Sequence, residues 1–172
     1  MMNLEPLTVH GIPDNLSQLM DYVAWAAAAG GLDEATTYRL SMTEKKIIPH
    51  HLPHQSDTYR LSLAVDEIAT NVVLHGYADY NQEGDLTIWA EGDDAQLRIY
   101  LEDTGHPFDP RQVPRPHDLD RPLEERRDGG LGIFLALWGV DGFTYHRVGG
   151  KNRSVFVMDY PRSDEPNFWT GQ

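Results

Sequence analysis

No cysteine occurs among the 172 residues, so the chain can form neither a disulfide nor a thiolate metal site, and a reducing, cytoplasmic setting is expected. It also lacks an apolar run of membrane-spanning length. The longest apolar stretch near the N-terminus is the alanine-rich end of an amphipathic segment, with no basic leader before it, so neither a span nor a signal peptide is expected. Basic residues are scarce. Lysine and arginine number 14 against 27 acidic residues, and the net charge of -13 argues against direct nucleic-acid or anionic-membrane binding. A basic protein surface stays open as a partner. The length suits one domain with a sizeable core.

Of what the chain does contain, Leu61 to Tyr77, LSLAVDEIATNVVLHGY, carries the most information. Leu61, Val65, Ile68 and Val72 recur at helical intervals, with Ser56 or Asp57 available as N-cap and Gly76 near the end. Glu67, Asn71 and His75 climb the border of that stripe, successive members separated by about 40° and roughly 6 Å of rise. An amide oxygen there can hold a hard cation such as Mg²⁺, which takes its other ligands from water and phosphate. A carboxylate one turn away can accept a proton from an attacking hydroxyl. The same spacing also describes an ordinary solvated helix edge, so it acquires meaning only from its neighbours.

The flanking elements follow from periodicity and turn chemistry. Leu7 to His10 alternates as a short strand. Pro13, Asp14 and Asn15 open a helix with Leu16, Leu19, Met20, Val23 and Ala27 on one face, ended by Gly30 and Gly31. Residues 33 to 56 are less legible: a short helix over Glu34 to Ile48 is expected, closed by Pro49 and Pro53, and HHLPH (His50, His51, His54) reads as an exposed loop. The string TYRLS at Thr37 to Ser41 recurs at Thr58 to Ser62, too brief a duplication for a repeat architecture. Asp79 to Asp85 is turn-like. LTIWAEGDDAQLRIYLED then reads as a hairpin around Gly92, Asp93 and Asp94, whose second strand delivers Asp103, Thr104 and Gly105 at its end. A glycine there lets a flat ligand approach the backbone, and an aspartate can accept from an exocyclic amine.

Residues 109 to 128 change character, with Pro110, Pro114, Pro116 and Pro122 among polar residues and no hydrophobic period. The segment carries Arg111, Arg115, Arg121, Arg126 and Arg127, nearly balanced by its acids, and suits either a cationic lid over phosphates or a charge-balanced loop. It runs into DGGLGIFLALWGV, where Gly129, Gly130 and Gly132 open an apolar helix starting near Leu131. Glycines before a helix N-terminus expose N–H groups to an anion. No P-loop lysine is present, and no strand precedes the glycines as a Rossmann fingerprint requires. A second hairpin is expected from Gly142 to Val148 and Arg153 to Tyr160, turning around Gly149, Gly150, Lys151 and Asn152, with a frayed tail beyond Pro161.

Three short boxes in fixed order are far more specific than any one of them. EIATNVVLHGY, EDTGHPFDP and GGLGIFLA resemble the asparagine box and two glycine boxes of the GHKL ATPases, and most closely the anti-sigma factor serine kinases of the RsbW and SpoIIAB type. The resemblance implies a two-layer α/β sandwich of the GHKL (Bergerat) type, a mixed sheet with helices on one face, with ATP held between helix and sheet. It implies a single domain over 1–161, an insertion near 33–56, an ATP lid near 109–128 and a tail over 162–172. Carried over position by position, it makes Glu67 the general base and Asn71 the Mg²⁺ ligand. Asp103 becomes the acceptor for the adenine amine, and Gly105, Gly130, Leu131 and Gly132 join the nucleotide site.

The implied reaction is transfer of the ATP γ-phosphate to a serine or threonine of a STAS-type anti-anti-sigma partner. A sigma factor as second partner and a homodimer are implied with it. His75 matches the string but is given a capping or supporting role outside the catalytic set. Residues 33–56 depart from relatives, which join the two helices by a shorter link. A different class of function also fits the boxes: a regulatory module that binds nucleotide and a partner without transferring phosphate. A histidine kinase would need an acceptor-histidine hairpin before the boxes, and gyrase-like or MutL-like ATPases a further coupling domain.

Overall fold

The computed structural model describes residues 1–32, 56–114 and 131–160. The 33–55 part of the insertion, the lid from residue 115, the glycines at 129 and 130, and the tail lie outside them. Five strands make one sheet: β1 (Met2–His10), β2 (Asp85–Gly92), β3 (Gln96–Asp103), β4 (Gly142–Val148) and β5 (Lys151–Asp159), in the order β1-β2-β3-β5-β4. Helices α1 (Leu16–Gly30), α2 (Asp57–Asn71) and α3 (Leu131–Gly139) cover one face. No helix among the described residues is long and apolar enough to cross a membrane.

The two-layer α/β sandwich forms as expected, but its sheet is antiparallel in all four described pairings rather than mixed. The reason is topological. The connection through α3 does bring β4 back in the direction of β3, yet the hairpin partner β5 inserts between them and pairs antiparallel with both. Pro6, which has no N–H to donate, falls in the register shift of edge strand β1 between Leu4 and Leu7.

Alternation decides which side of the sheet is covered. Leu86, Ile88 and Ala90 of β2, Leu97, Ile99 and Leu101 of β3, and Phe156 and Met158 of β5 all point under the helices and are fully buried or nearly so. Leu19 and Val23 of α1 and Leu61, Val65 and Ile68 of α2 close the same core. Each such aliphatic side chain stabilises the fold by about 1.5–3 kcal/mol through its burial. Helix α2 sits centrally, packed between α1 and α3. Local signals set the helix ends: Ser56 Oγ accepts from Tyr59 N at 3.2 Å as the α2 N-cap, and Gly31 terminates α1 at φ 79°, where a side chain would be strained.

The second hairpin turns on Gly149 and Gly150 alone, both at positive φ (58° and 85°), as a two-residue turn matched to strand twist requires. Lys151 and Asn152 therefore belong to β5 rather than to the turn. This one-element displacement moves Asn152 into the site.

Candidate functional site

Helix α2 does not stop where its regular turns end. From Val72 to Tyr77 the chain widens into a π turn, then tightens into a 3-10 turn over Ala78–Tyr80 before Asn81 reverses it at φ 51°. Such wide turns cluster at functional sites because they re-aim side chains that a regular helix would point elsewhere. Tyr77 anchors the irregular stretch. Its hydroxyl donates to Asp85 O at 2.9 Å and accepts from Thr104 N at 3.1 Å, tying the start of β2 to the end of β3. The ring fits between Gly11 and Gly84, where a Cβ would come within 2.7 and 2.6 Å of ring carbons. Neither glycine drew attention in the sequence, although each is required by this contact.

Between the π turn and the sheet lies a cavity of about 460 Å³. That volume is in the range of small-molecule sites. Ile68, Asn71 and Val72 of the helix form one wall, and Asp103, Asn152, Ser154 and Tyr145 of the strands form the other. His106, Phe108 and Tyr80 make an aromatic rim, the Tyr80 and His106 rings stacked at 4.1 Å and nearly parallel.

Asp103 is the buried charge of the cavity. Its Oδ1 accepts from Gly105 N at 2.8 Å and from Asn152 Nδ2 at 2.7 Å. Burial raises its carboxyl pKa above the ordinary value, and these two bonds and the nearby Arg147 pull in the opposite direction. Gly105 packs closely: a Cβ there would lie 3.1 Å from both Gly76 O and Asp103 Oδ1, and His106 N donates to Gly76 O at 3.0 Å. The missing side chain thus lets the loop after β3 press against the π turn.

On the helix wall, Asn71 Nδ2 donates back to Glu67 O at 2.6 Å. The amide nitrogen is engaged with backbone, which leaves the oxygen as the atom available to a cation from the cavity. That donor set fits Mg²⁺, which needs few protein oxygens when phosphates and water complete its shell. Glu67 is half-buried one turn earlier, against the first turn of α3. Gly132 makes this possible, because a Cβ on it would collide with the Glu67 carboxylate. A carboxylate beside a helix N-terminus is also favoured by the helix dipole.

Leu131 opens α3 as expected, and Gly130 lies outside the described residues. His75 is exposed, its Nδ1 2.8 Å from Asp79 Oδ2, and it also lines the cavity. Arg111 forms a bidentate pair with Asp109 (2.9 and 2.8 Å) and also donates to Tyr145 O at 3.3 Å, which ties the start of the 109–128 segment to β4. Sequence reasoning missed Asn152 and Tyr145. The alternation of Asn152, Ser154, Phe156 and Met158 along β5 was the signal that placed Asn152 on the covered face.

A helix-on-sheet domain with an acid and an amide on its central helix and a buried aspartate at the end of the facing strand defines a class, and the chain belongs to it. Residues 11–158 match the histidine kinase-like ATPase domain family, of which this protein is a member. Among individual proteins, it is similar to the serine-protein kinase RsbW of Staphylococcus aureus strains JH9 and Newman, 33% identical over 96 residues. That match covers 54% of this chain and only 60% of the kinase. Among solved structures, the RsbU and RsbW domains of Rv1364c from Mycobacterium tuberculosis superpose with a TM-score of 0.52 at 15% identity, over 92% of this chain and 34% of that one. At that identity the likeness concerns the fold.

Proposed function

We propose that this protein is an ATP-dependent serine/threonine protein kinase of the anti-sigma factor type. It transfers the γ-phosphate of ATP to a hydroxyl of a STAS-type anti-anti-sigma partner, and through that exchange controls a sigma factor. The observation that carries this reading is the division of labour across the cavity, with a buried acceptor, Asp103, on the sheet facing Asn71 on the helix, and Glu67 one turn back on that helix beside the start of α3. Asp103 takes the exocyclic amine of adenine. Asn71 holds Mg²⁺, whose contribution when bound is to offset charge on the phosphates. Glu67, kept beside α3 by the absence of a side chain at Gly132, accepts the proton of the attacking hydroxyl. Leu131 and Gly132, at the start of α3, and Gly130 before them in the chain belong to the part of the site that receives the phosphates. Residues 1–161 act as a single domain with the lid near 109–128, and the functional unit is a homodimer.

The direct test mixes the purified protein, radiolabelled ATP and STAS-domain proteins from the same genome. Wild type is expected to label one of them, and Glu67→Ala to bind Mg-ATP normally while transferring about 10²- to 10⁴-fold more slowly. Nucleotide binding with no transfer to any partner would establish the silent regulatory module instead. No nucleotide binding at millimolar concentration would overturn both.

A further inference from the structure

Asn152 stands directly opposite Asp103 in the β3–β5 register and is as buried as the aspartate, 4% and 5% exposed. An asparagine so placed needs a reason, because a buried amide costs stability unless its hydrogen bonds are made. Here they are all made. Asn152 Oδ1 accepts from Tyr145 Oη and from an Arg147 terminal nitrogen, both at 2.7 Å, while Nδ2 donates to Asp103 Oδ1 at 2.7 Å and to Gly105 O at 3.1 Å. Two donors and two acceptors use the full capacity of the group, and they fix which way the amide faces. A reversed amide would set its oxygen against a carboxylate and a carbonyl.

The consequence falls on Asp103. Gly105 N and Asn152 Nδ2 occupy Oδ1, so Oδ2 is the oxygen the carboxylate presents to the cavity, and Asn152 donates to the ionised form. We propose that Asn152 is a specificity-determining positioning residue: it holds the Asp103 carboxylate ionised and oriented with Oδ2 as a pure acceptor, and so sets a preference for 6-amino over 6-oxo purine nucleotides. This rests on the reading that Asp103 receives the base. An ionised acceptor pairs with an amine and meets a carbonyl oxygen with repulsion, whereas a protonated carboxyl can donate to that carbonyl. Without Asn152 the carboxyl loses a donor to its charged form in a buried place, turns more freely and keeps its proton to higher pH. The other groups bearing on its charge are Glu102 and Tyr77 beside it and Arg147 from β4, whose own bond to Asn152 Oδ1 is lost in the same substitution.

The test measures Mg-ATP and Mg-ITP affinities by calorimetry for wild type, Asn152→Ala and Tyr145→Phe across a pH series, with folding checked by thermal melting. Asn152→Ala should weaken ATP by about 10- to 100-fold, the worth of a hydrogen bond to a charged group, and should lower the ATP to ITP preference by at least about tenfold. The acid limb of its ATP affinity should move to higher pH. Tyr145→Phe, which loosens the Asn152 amide from behind, should shift both readouts the same way by a smaller factor and decides the matter if Asn152→Ala does not fold. A brace for the hairpin alone would lower both affinities equally, and an unchanged ATP to ITP ratio and pH limb in the folded variants overturns the proposal. Wild type that binds neither nucleotide overturns the base-recognition reading, and this inference with it.

Discussion

Replacing Gly132 by alanine adds one methyl group at the point where α3 meets the Glu67 carboxylate. That methyl would lie 2.7 Å from the carboxyl carbon of Glu67, against the 3.5–4.0 Å or so of an ordinary carbon contact, so the carboxylate must withdraw by about 1 Å. Glu67 can do so, because its carboxylate is the far end of a flexible side chain. Displacing it from its preferred rotamer costs about 0.5–1.5 kcal/mol, and alanine regains up to about 1 kcal/mol over glycine in a helix, so the fold should change in stability by less than about 1 kcal/mol. Catalysis responds differently. A reacting group misplaced by about 1 Å loses on the order of 100-fold in rate, while the proposed adenine contact at Asp103, on the sheet side of the cavity, is untouched. The expected signature is wild-type nucleotide affinity by calorimetry, near-wild-type urea unfolding, and single-turnover phosphotransfer slowed by about two orders of magnitude. Transfer within about twofold of wild type would show that the close approach of Glu67 to α3 has no part in the chemistry. Loss of nucleotide binding instead would mean that the added methyl itself obstructs the phosphates that the backbone of Gly132 is proposed to face.

Tyr77→Phe should cost about 1–3 kcal/mol in urea unfolding, because it leaves Asp85 O and Thr104 N without the hydroxyl that satisfies both. A change below about 0.5 kcal/mol would mean that water replaces the hydroxyl there. Acidification offers a second check, since Asp103 must be ionised to accept from an amine. Its pKa is raised by burial, so ATP affinity should fall as pH drops through that raised value, which lies above the ordinary 3.8. Stability runs the other way for this group: the folded state holds the proton more tightly, so its contribution is fully present below 3.8 and is lost as pH rises through the folded-state pKa. An ATP affinity independent of pH down to the ordinary carboxyl value of 3.8 would remove Asp103 from base recognition.

The elements and the order of the boxes were legible in the sequence because they depend on local periodicity and turn chemistry. Leu61, Val65 and Ile68 specify a buried helical stripe wherever the helix lies, Ser56 caps it through its own next turn, and the alternation from Leu86 to Leu101 assigns a covered and an open face without reference to any other segment. The chain thereby declared Glu67, Asn71 and Asp103 as chemically apt. It could not declare that β5 inserts between β3 and β4, since strand order is settled by which apolar faces share one core across long loops. Everything that follows from that pairing was equally hidden: Asn152, assigned to a turn on local grounds, lies beside Asp103 only because residues 49 positions apart fall in register. The π turn after Asn71 and the seat of the Tyr77 ring between Gly11 and Gly84 are likewise products of packing, where the hydroxyl of Tyr77 completes the backbone bonds of two strand ends. Side-chain identity fixed what chemistry the cavity can offer, and long-range register decided which atoms face each other across it.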